Sequence, residues 1–152
     1  MDGKESIYSL ALNQVTALLE DEDDLICAMA NTSAAIFETV PDLNWAGFYR
    51  AIPEGLILGP FQGKVACTKI KCGSGVCGTA MAEGKSQLVP NVHEFPGHIA
   101  CDSASNAEIV VPLYGADGRF LGVLDIDSPV LYRFDETDLR GFEAIAALFS
   151  KF

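Results

Sequence analysis

Glu108-Ile-Val-Val-Pro-Leu-Tyr-Gly-Ala-Asp-Gly-Arg-Phe-Leu-Gly-Val-Leu-Asp-Ile-Asp127 is the stretch on which the fold turns. Two runs rich in β-branched and other apolar residues, 108–113 and 120–127, flank the turn Gly115-Ala-Asp-Gly118, so the segment predicts two strands. Upstream, Trp45-Ala-Gly-Phe-Tyr-Arg-Ala-Ile52 reads as a strand, Pro53-Glu-Gly55 as a turn and 56–61 as a second strand. A third strand is expected over 65–70, and Leu88-Val89 forms a brief one. Helical periodicity brackets these strands. Ile7, Leu10, Ala11, Val15, Leu18 and Leu19 fall on one stripe, and Leu25, Ile26, Met29, Ala30, Ile36 and Phe37 on another. Cys27 belongs to this second helix and reads as a small packing residue. Gly73-Ser-Gly75 introduces a short helix over 76–82. A last helix starts near Asp135, with Phe142, Ile145, Ala146 and Phe149 on its apolar face. A mostly antiparallel central sheet flanked by helices satisfies this order, which makes the chain α+β. With 152 residues and no repeat or linker, residues 1–152 are expected to form a single domain.

Composition narrows the function. Twenty-one acids against ten bases leave a net charge of −11, which repels phosphate backbones and anionic lipid, so neither nucleic acid nor membrane is an expected partner. No apolar run approaches the ~18 residues of a membrane span, and the N-terminus lacks the apolar block of a secretory signal. A cytoplasmic location is therefore expected. The acidic run Glu20-Asp-Glu-Asp-Asp24 sits where a helix should begin and reads as a solvated cap.

Five cysteines in a chain without an export signal point to metal binding or thiol redox chemistry rather than a disulfide framework. Cys67, Cys72 and Cys77 lie close together, and Cys101 follows His93 and His98 in the irregular stretch 90–106. Zinc knuckles place their cysteines two to four residues apart in tight turns. Here the spacing runs from a strand into a helix start, so the metal signal is weak. Thiol chemistry accounts for the layout more directly. A reactive cysteine needs access and help in ionising; His98 could assist Cys101, whereas the charge of Asp102 opposes it. A buried loop thiol is the plainer alternative.

The acids supply a second element. Asp125 and Asp127 are two apart in an apolar strand and share one face, and a hairpin would bring Glu108 near them. Like charges buried together raise at least one pKa and leave a neutral carboxylic acid near pH 7. Both aspartates could equally face water or cap a turn before Pro129. Trp45 and Tyr49, four apart, could wall a pocket or simply pack the core. Gly73-Ser-Gly-Val-Cys-Gly78 lacks the lysine and spacing of a nucleotide loop.

Six segments in order, Asn44-Trp-Ala-Gly-Phe-Tyr49, Gly59-Pro-Phe-Gln-Gly-Lys-Val-Ala-Cys67, Gly75-Val-Cys-Gly-Thr-Ala80, Gly97-His-Ile-Ala-Cys-Asp102, Ser105-Asn-Ala-Glu-Ile-Val110 and Gly122-Val-Leu-Asp-Ile-Asp-Ser128, resemble the free methionine-(R)-sulfoxide reductases, small proteins of the GAF fold. The resemblance implies that Cys101 is the nucleophile, Cys67 the principal resolving cysteine and Cys77 a third thiol able to join a disulfide. It further implies a substrate-binding acid cluster of Glu108, Asp125 and Asp127 with aromatic walls from Trp45 and Tyr49. Cys72 is outside the family pattern. The implied activity is reduction of free methionine-(R)-sulfoxide through a sulfenic acid and an intramolecular disulfide, recycled by thioredoxin or a similar dithiol. No metal or organic cofactor is required, and the family often forms homodimers. The competing expectation is a non-catalytic GAF module that senses a small ligand.

Overall fold

The structure, a computed structural model, describes residues 3–99 and 103–152. Four helices, α1 (Gly3–Leu19), α2 (Leu25–Thr39), α3 (Gly75–Glu83) and α4 (Glu136–Ala147), accompany six strands. These are β1 (Trp45–Ile52), β2 (Gly55–Gly63), β3 (Lys69–Lys71), β4 (Gln87–Val89), β5 (Ala107–Tyr114) and β6 (Phe120–Ser128). They form one sheet in the order β3-β2-β1-β6-β5-β4, with every neighbouring pair antiparallel. The expected α+β architecture is the observed one.

Period-two alternation divides the sheet into two faces with different jobs. Ala46 and Phe48 of β1, Ala107, Ile109, Val111 and Leu113 of β5, and Leu124 and Ile126 of β6 meet α1, α2 and α4 in the larger core. The intervening residues, Trp45 and Tyr49 of β1, Val110 of β5 and Val123 of β6, pack with Val76, Cys77 and Ala80 of α3 in a smaller one. The larger core leaves the opposite face free to carry polar side chains.

The helices begin where local chemistry directs. Asp24, last of the acidic run, caps α2 by accepting from the Cys27 N–H at 2.9 Å, and Asp135 caps α4 in a reciprocal capping box with Asp138. Three expectations need correction. In α1 the buried stripe is Tyr8, Ala11, Val15 and Leu19, so Leu10 and Leu18 lie outside it and are exposed. In α2 the packed residues include Thr32 and Ser33, which an apolar template passes over. Cys27 consequently shares an exposed face with Asn31 and Glu38 and is no packing residue. The third strand covers only Lys69–Lys71 rather than 65–70, because 64–67 leaves the ladder and is held by side chains of β1, as described below, whereas Thr68 still accepts from the Leu58 N–H.

Asp138 ties the two ends of the chain together. Its carboxylate, fully buried, accepts from Lys4 Nζ at 2.7 Å, Arg133 at 3.0 Å, the Asp135 N–H at 2.8 Å and the Tyr8 hydroxyl. Removing one member of a buried ionic cluster leaves the others uncompensated. Asp138→Ala should therefore lose about 3–5 kcal/mol of stability in urea unfolding; a loss below about 1 kcal/mol, the level of an exposed pair, would show that the cluster is not a stabilising clasp.

Candidate active site

Strand register builds the site row by row. Trp45 of β1 lies opposite Asp127 of β6, and Asp127 lies opposite Glu108 of β5. In the next row on the same face Gly47, Asp125 and Val110 are aligned, and in the third Tyr49, Val123 and Pro112. An aromatic and two acids thus share the first row without any loop being needed to bring them together. Gly47 is needed where it is, since a Cβ there would stand 2.3 Å from Phe61 Cβ. Phe61 in turn stacks on Trp45 with ring centroids 5.1 Å apart.

The N-terminal turn of α3 covers these rows. Gly78 lets it approach closely, because a Cβ there would meet the Lys71 carbonyl at 2.5 Å. Cys77 then projects onto the acids, and ligand atoms of Cys77, Glu108 and Asp125 all fall within 4.8 Å of one another. The three side chains, together with Trp45, Tyr49, Asp127, Ser105 and His98, line a cavity of about 40 Å³. The resemblance grouped Glu108, Asp125, Asp127, Trp45 and Tyr49, and the structure brings all five together.

Electrostatics follow from burial. Glu108 is driven well above the ordinary carboxyl range, first by loss of solvent and then by the charges of Asp125 and Asp127. Asp125 is also raised by burial, although hydrogen bonds from Glu108, Cys77 and Asp127 favour its charged form. Burial likewise pushes the Cys77 thiol well up, and the same acids add to the effect. Burial and the neighbouring acids thus favour the neutral form of Glu108 and the thiol form of Cys77, while hydrogen bonding partly offsets the same tendency in Asp125. His98 is moved downward by burial and by His93, so it supplies no fixed positive charge at neutral pH.

The aromatics have a second task. The Trp45 indole donates to the Lys64 carbonyl at 3.1 Å and the Tyr49 hydroxyl to the Cys67 carbonyl at 2.9 Å. Segment 64–67 is therefore held beside the site by two side chains of β1, and Val65 within it is 86% exposed. Cys67 is disulfide-bonded, whereas Cys27, Cys72 and Cys77 are free. Cys101 lies outside the described residues.

Comparison with known proteins places this arrangement. The GAF domain family matches residues 18–151. Free methionine-R-sulfoxide reductase of Escherichia coli is 47% identical over 148 residues, covering 97% of this chain and 89% of that protein. The chain belongs to the free methionine-(R)-sulfoxide reductase family of GAF proteins. The Saccharomyces cerevisiae free methionine-R-sulfoxide reductase is 44% identical, over 97% of this chain and 86% of that one. The X-ray structure of the Neisseria meningitidis free methionine-R-sulfoxide reductase in complex with its substrate superposes with a TM-score of 0.94 at 43% identity, covering 99% of this chain and 90% of that one.

Relative to this family, sequence reasoning missed Ser105, whose hydroxyl accepts from Asn44 Nδ2 at 3.0 Å at the cavity edge. Ser74, Gly75 and Ile99 also line the cavity. None belongs to a chemical class that advertises itself in a sequence. Asn106 has a clearer architectural role. Its backbone accepts from Val92 N–H and donates to Ser128 O, its amide donates to Pro129 O, and its Oδ1 meets His93 Nε2 at 2.7 Å. Both ends of stretch 90–106 are thereby closed onto the end of β6.

A raised carboxyl pKa makes stability depend on pH with a definite sign. The contribution of Glu108 is fully present below its ordinary value of 4.5 and is lost as pH rises toward its folded value. Glu108→Gln should flatten the decline, by up to about 1.4 kcal/mol per pH unit, in urea unfolding across a pH series. Identical wild-type and variant profiles would show that Glu108 is not held neutral by the fold.

Proposed function

We propose that this chain reduces free L-methionine-(R)-sulfoxide to L-methionine with Cys101 as nucleophile, Glu108 as proton donor and Cys67 as the resolving thiol. The observation that carries the reading is the gathering of Glu108, Asp125 and Asp127 in one cavity walled by Trp45 and Tyr49, where burial and the other acids raise the Glu108 carboxyl well above its ordinary range. Thiolate attack on a sulfoxide sulfur needs its oxygen protonated as the S–O bond breaks. Of the three acids, Glu108 is best suited to give that proton, because both neighbouring acids and burial favour its neutral form. Asp125 and Asp127 then remain to bind the ammonium group of the substrate. Relatives named for this activity, one of them solved with its substrate, support the same reading.

In the cycle, the Cys101 thiolate attacks sulfur, Glu108 protonates the oxygen, methionine leaves and Cys101 becomes a sulfenic acid. The substrate sulfur gains two electrons and the Cys101 sulfur loses them. Cys67 condenses with the sulfenic acid, releasing water and forming a Cys67–Cys101 disulfide, and a dithiol such as thioredoxin reopens it by exchange. The disulfide on Cys67 fits this assignment. Cys77, buried as a thiol against three acids, is poorly placed to be the first resolving group and serves as the reserve thiol. The cavity is small and walled by acids and aromatics. The confined space selects a free amino acid over a peptide.

Cys101→Ser should abolish turnover of free (R)-sulfoxide in a dithiol-coupled assay. Cys67→Ser should still release about one methionine per enzyme without reductant, as expected when sulfenic acid formation precedes the resolving step. Glu108→Gln should lower kcat by about 10²–10⁴, the contribution of a positioned general acid. Full multiple turnover in both cysteine variants would overturn the assigned roles.

A further inference from the structure

The cavity also has the make-up of a cation site. One sulfur and two carboxylates, from Cys77, Glu108 and Asp125, converge within 4.8 Å. Three protein ligands of this kind facing an open position are the arrangement by which a tetrahedral, thiophilic divalent ion is held while keeping one site for an exchangeable ligand. An independent observation points the same way. Asp125, only 5% exposed, has its Oδ1 buried without a hydrogen-bond partner while lining the cavity. Buried carboxylate oxygens are normally satisfied, and an unsatisfied one is an acceptor in waiting. Among the described lining residues there is no lysine or arginine, so no side-chain cation competes for the place.

We propose that the reduced protein binds one thiophilic divalent cation of the zinc or cadmium class through Cys77 Sγ and the carboxylates of Glu108 and Asp125. Binding displaces the protons that the ligand groups hold; no electron moves and no oxidant or reductant is needed. Three anionic ligands around a 2+ ion leave one negative charge, against three for the ionised cluster alone. The ion occupies Glu108, the acid assigned to the reduction, and fills the space the substrate would occupy. It is therefore an inhibitor, not a cofactor. That consequence rests on the reductase reading; the binding itself does not.

Titrating the fully reduced protein with Cd²⁺ tests both. The expected result is one equivalent bound with thiolate-to-cadmium charge-transfer absorption in the ultraviolet. Cys77→Ala should abolish this absorption although Cys67, Cys72 and Cys101 remain. Glu108→Gln should weaken binding by more than about tenfold, the lower end of what even an outer partner of a metal ligand contributes. Absorption that survives in Cys77→Ala, or an affinity indifferent to Glu108→Gln, would put the metal on other thiols and overturn the site. Free methionine sulfoxide should raise the apparent Kd for Cd²⁺ and Cd²⁺ should inhibit turnover. If Cd²⁺ binds with the expected ligand dependence but sulfoxide leaves its affinity unchanged, the metal site stands and the substrate reading of the cavity falls.

Discussion

Everything distinctive about this protein depends on gathering three acids, two of them buried, on one face of a sheet whose other face is the core. Asp127 and Glu108 sit opposite one another, with Asp125 in the adjoining row. Water would separate their charges; here α3 with His98, Ile99 and Ser105 walls them in, and burial favours the neutral forms of Glu108 and Asp125. The apolar surface buried by α1, α2 and α4 on the far side offsets that unfavourable arrangement. The chemistry of the site is thus underwritten by packing that never touches it. Asp138, with Lys4, Tyr8 and Arg133, adds an ionic clasp among residues that do not line the cavity.

The same geometry explains what could be read from the sequence. Period-two alternation is robust where both faces of a strand are buried with different chemistry, so Asp125, Asp127 and Glu108 were legible as a group from the 108–127 hairpin alone. Trp45 and Tyr49 were legible as sharing a face, and ring stacking at 5.9 Å bears this out. Helix stripes were less secure. Tyr8, Thr32 and Ser33 are interior residues that do not look apolar, and their inclusion rotates the buried faces away from Leu10, Leu18 and Cys27. The 65–70 strand failed for another reason. Strand propensity was present, but hydrogen bonds from distant side chains, invisible in a local window, hold 64–67 off the ladder. Ser105 and the glycine-rich start of α3 enter the cavity through tertiary closure, for which small residues leave no local trace.

Two carboxyls and a thiol within a few ångströms, all shifted toward their neutral forms by burial, share a limited number of protons. Whatever enters must supply positive charge or take a proton away. An ammonium group does the first and a departing oxide the second, whereas a thiophilic ion does both at once. In the proposed cycle this is what separates productive occupation from inhibition: the amino acid leaves Glu108 its hydrogen until the S–O bond weakens, and the metal strips it in the ground state.

The suspension of 64–67 from Trp45 and Tyr49 makes the cavity wall and the sulfur-bearing strap one mechanical part. Trimming either ring to widen the hollow would also cut a tether, letting the strap drift and spoiling its aim. Pocket size and sulfur reach cannot be tuned separately on this scaffold. A descendant adapted to bulkier sulfoxides would have to enlarge the opposite wall, along α3, rather than the tethered one.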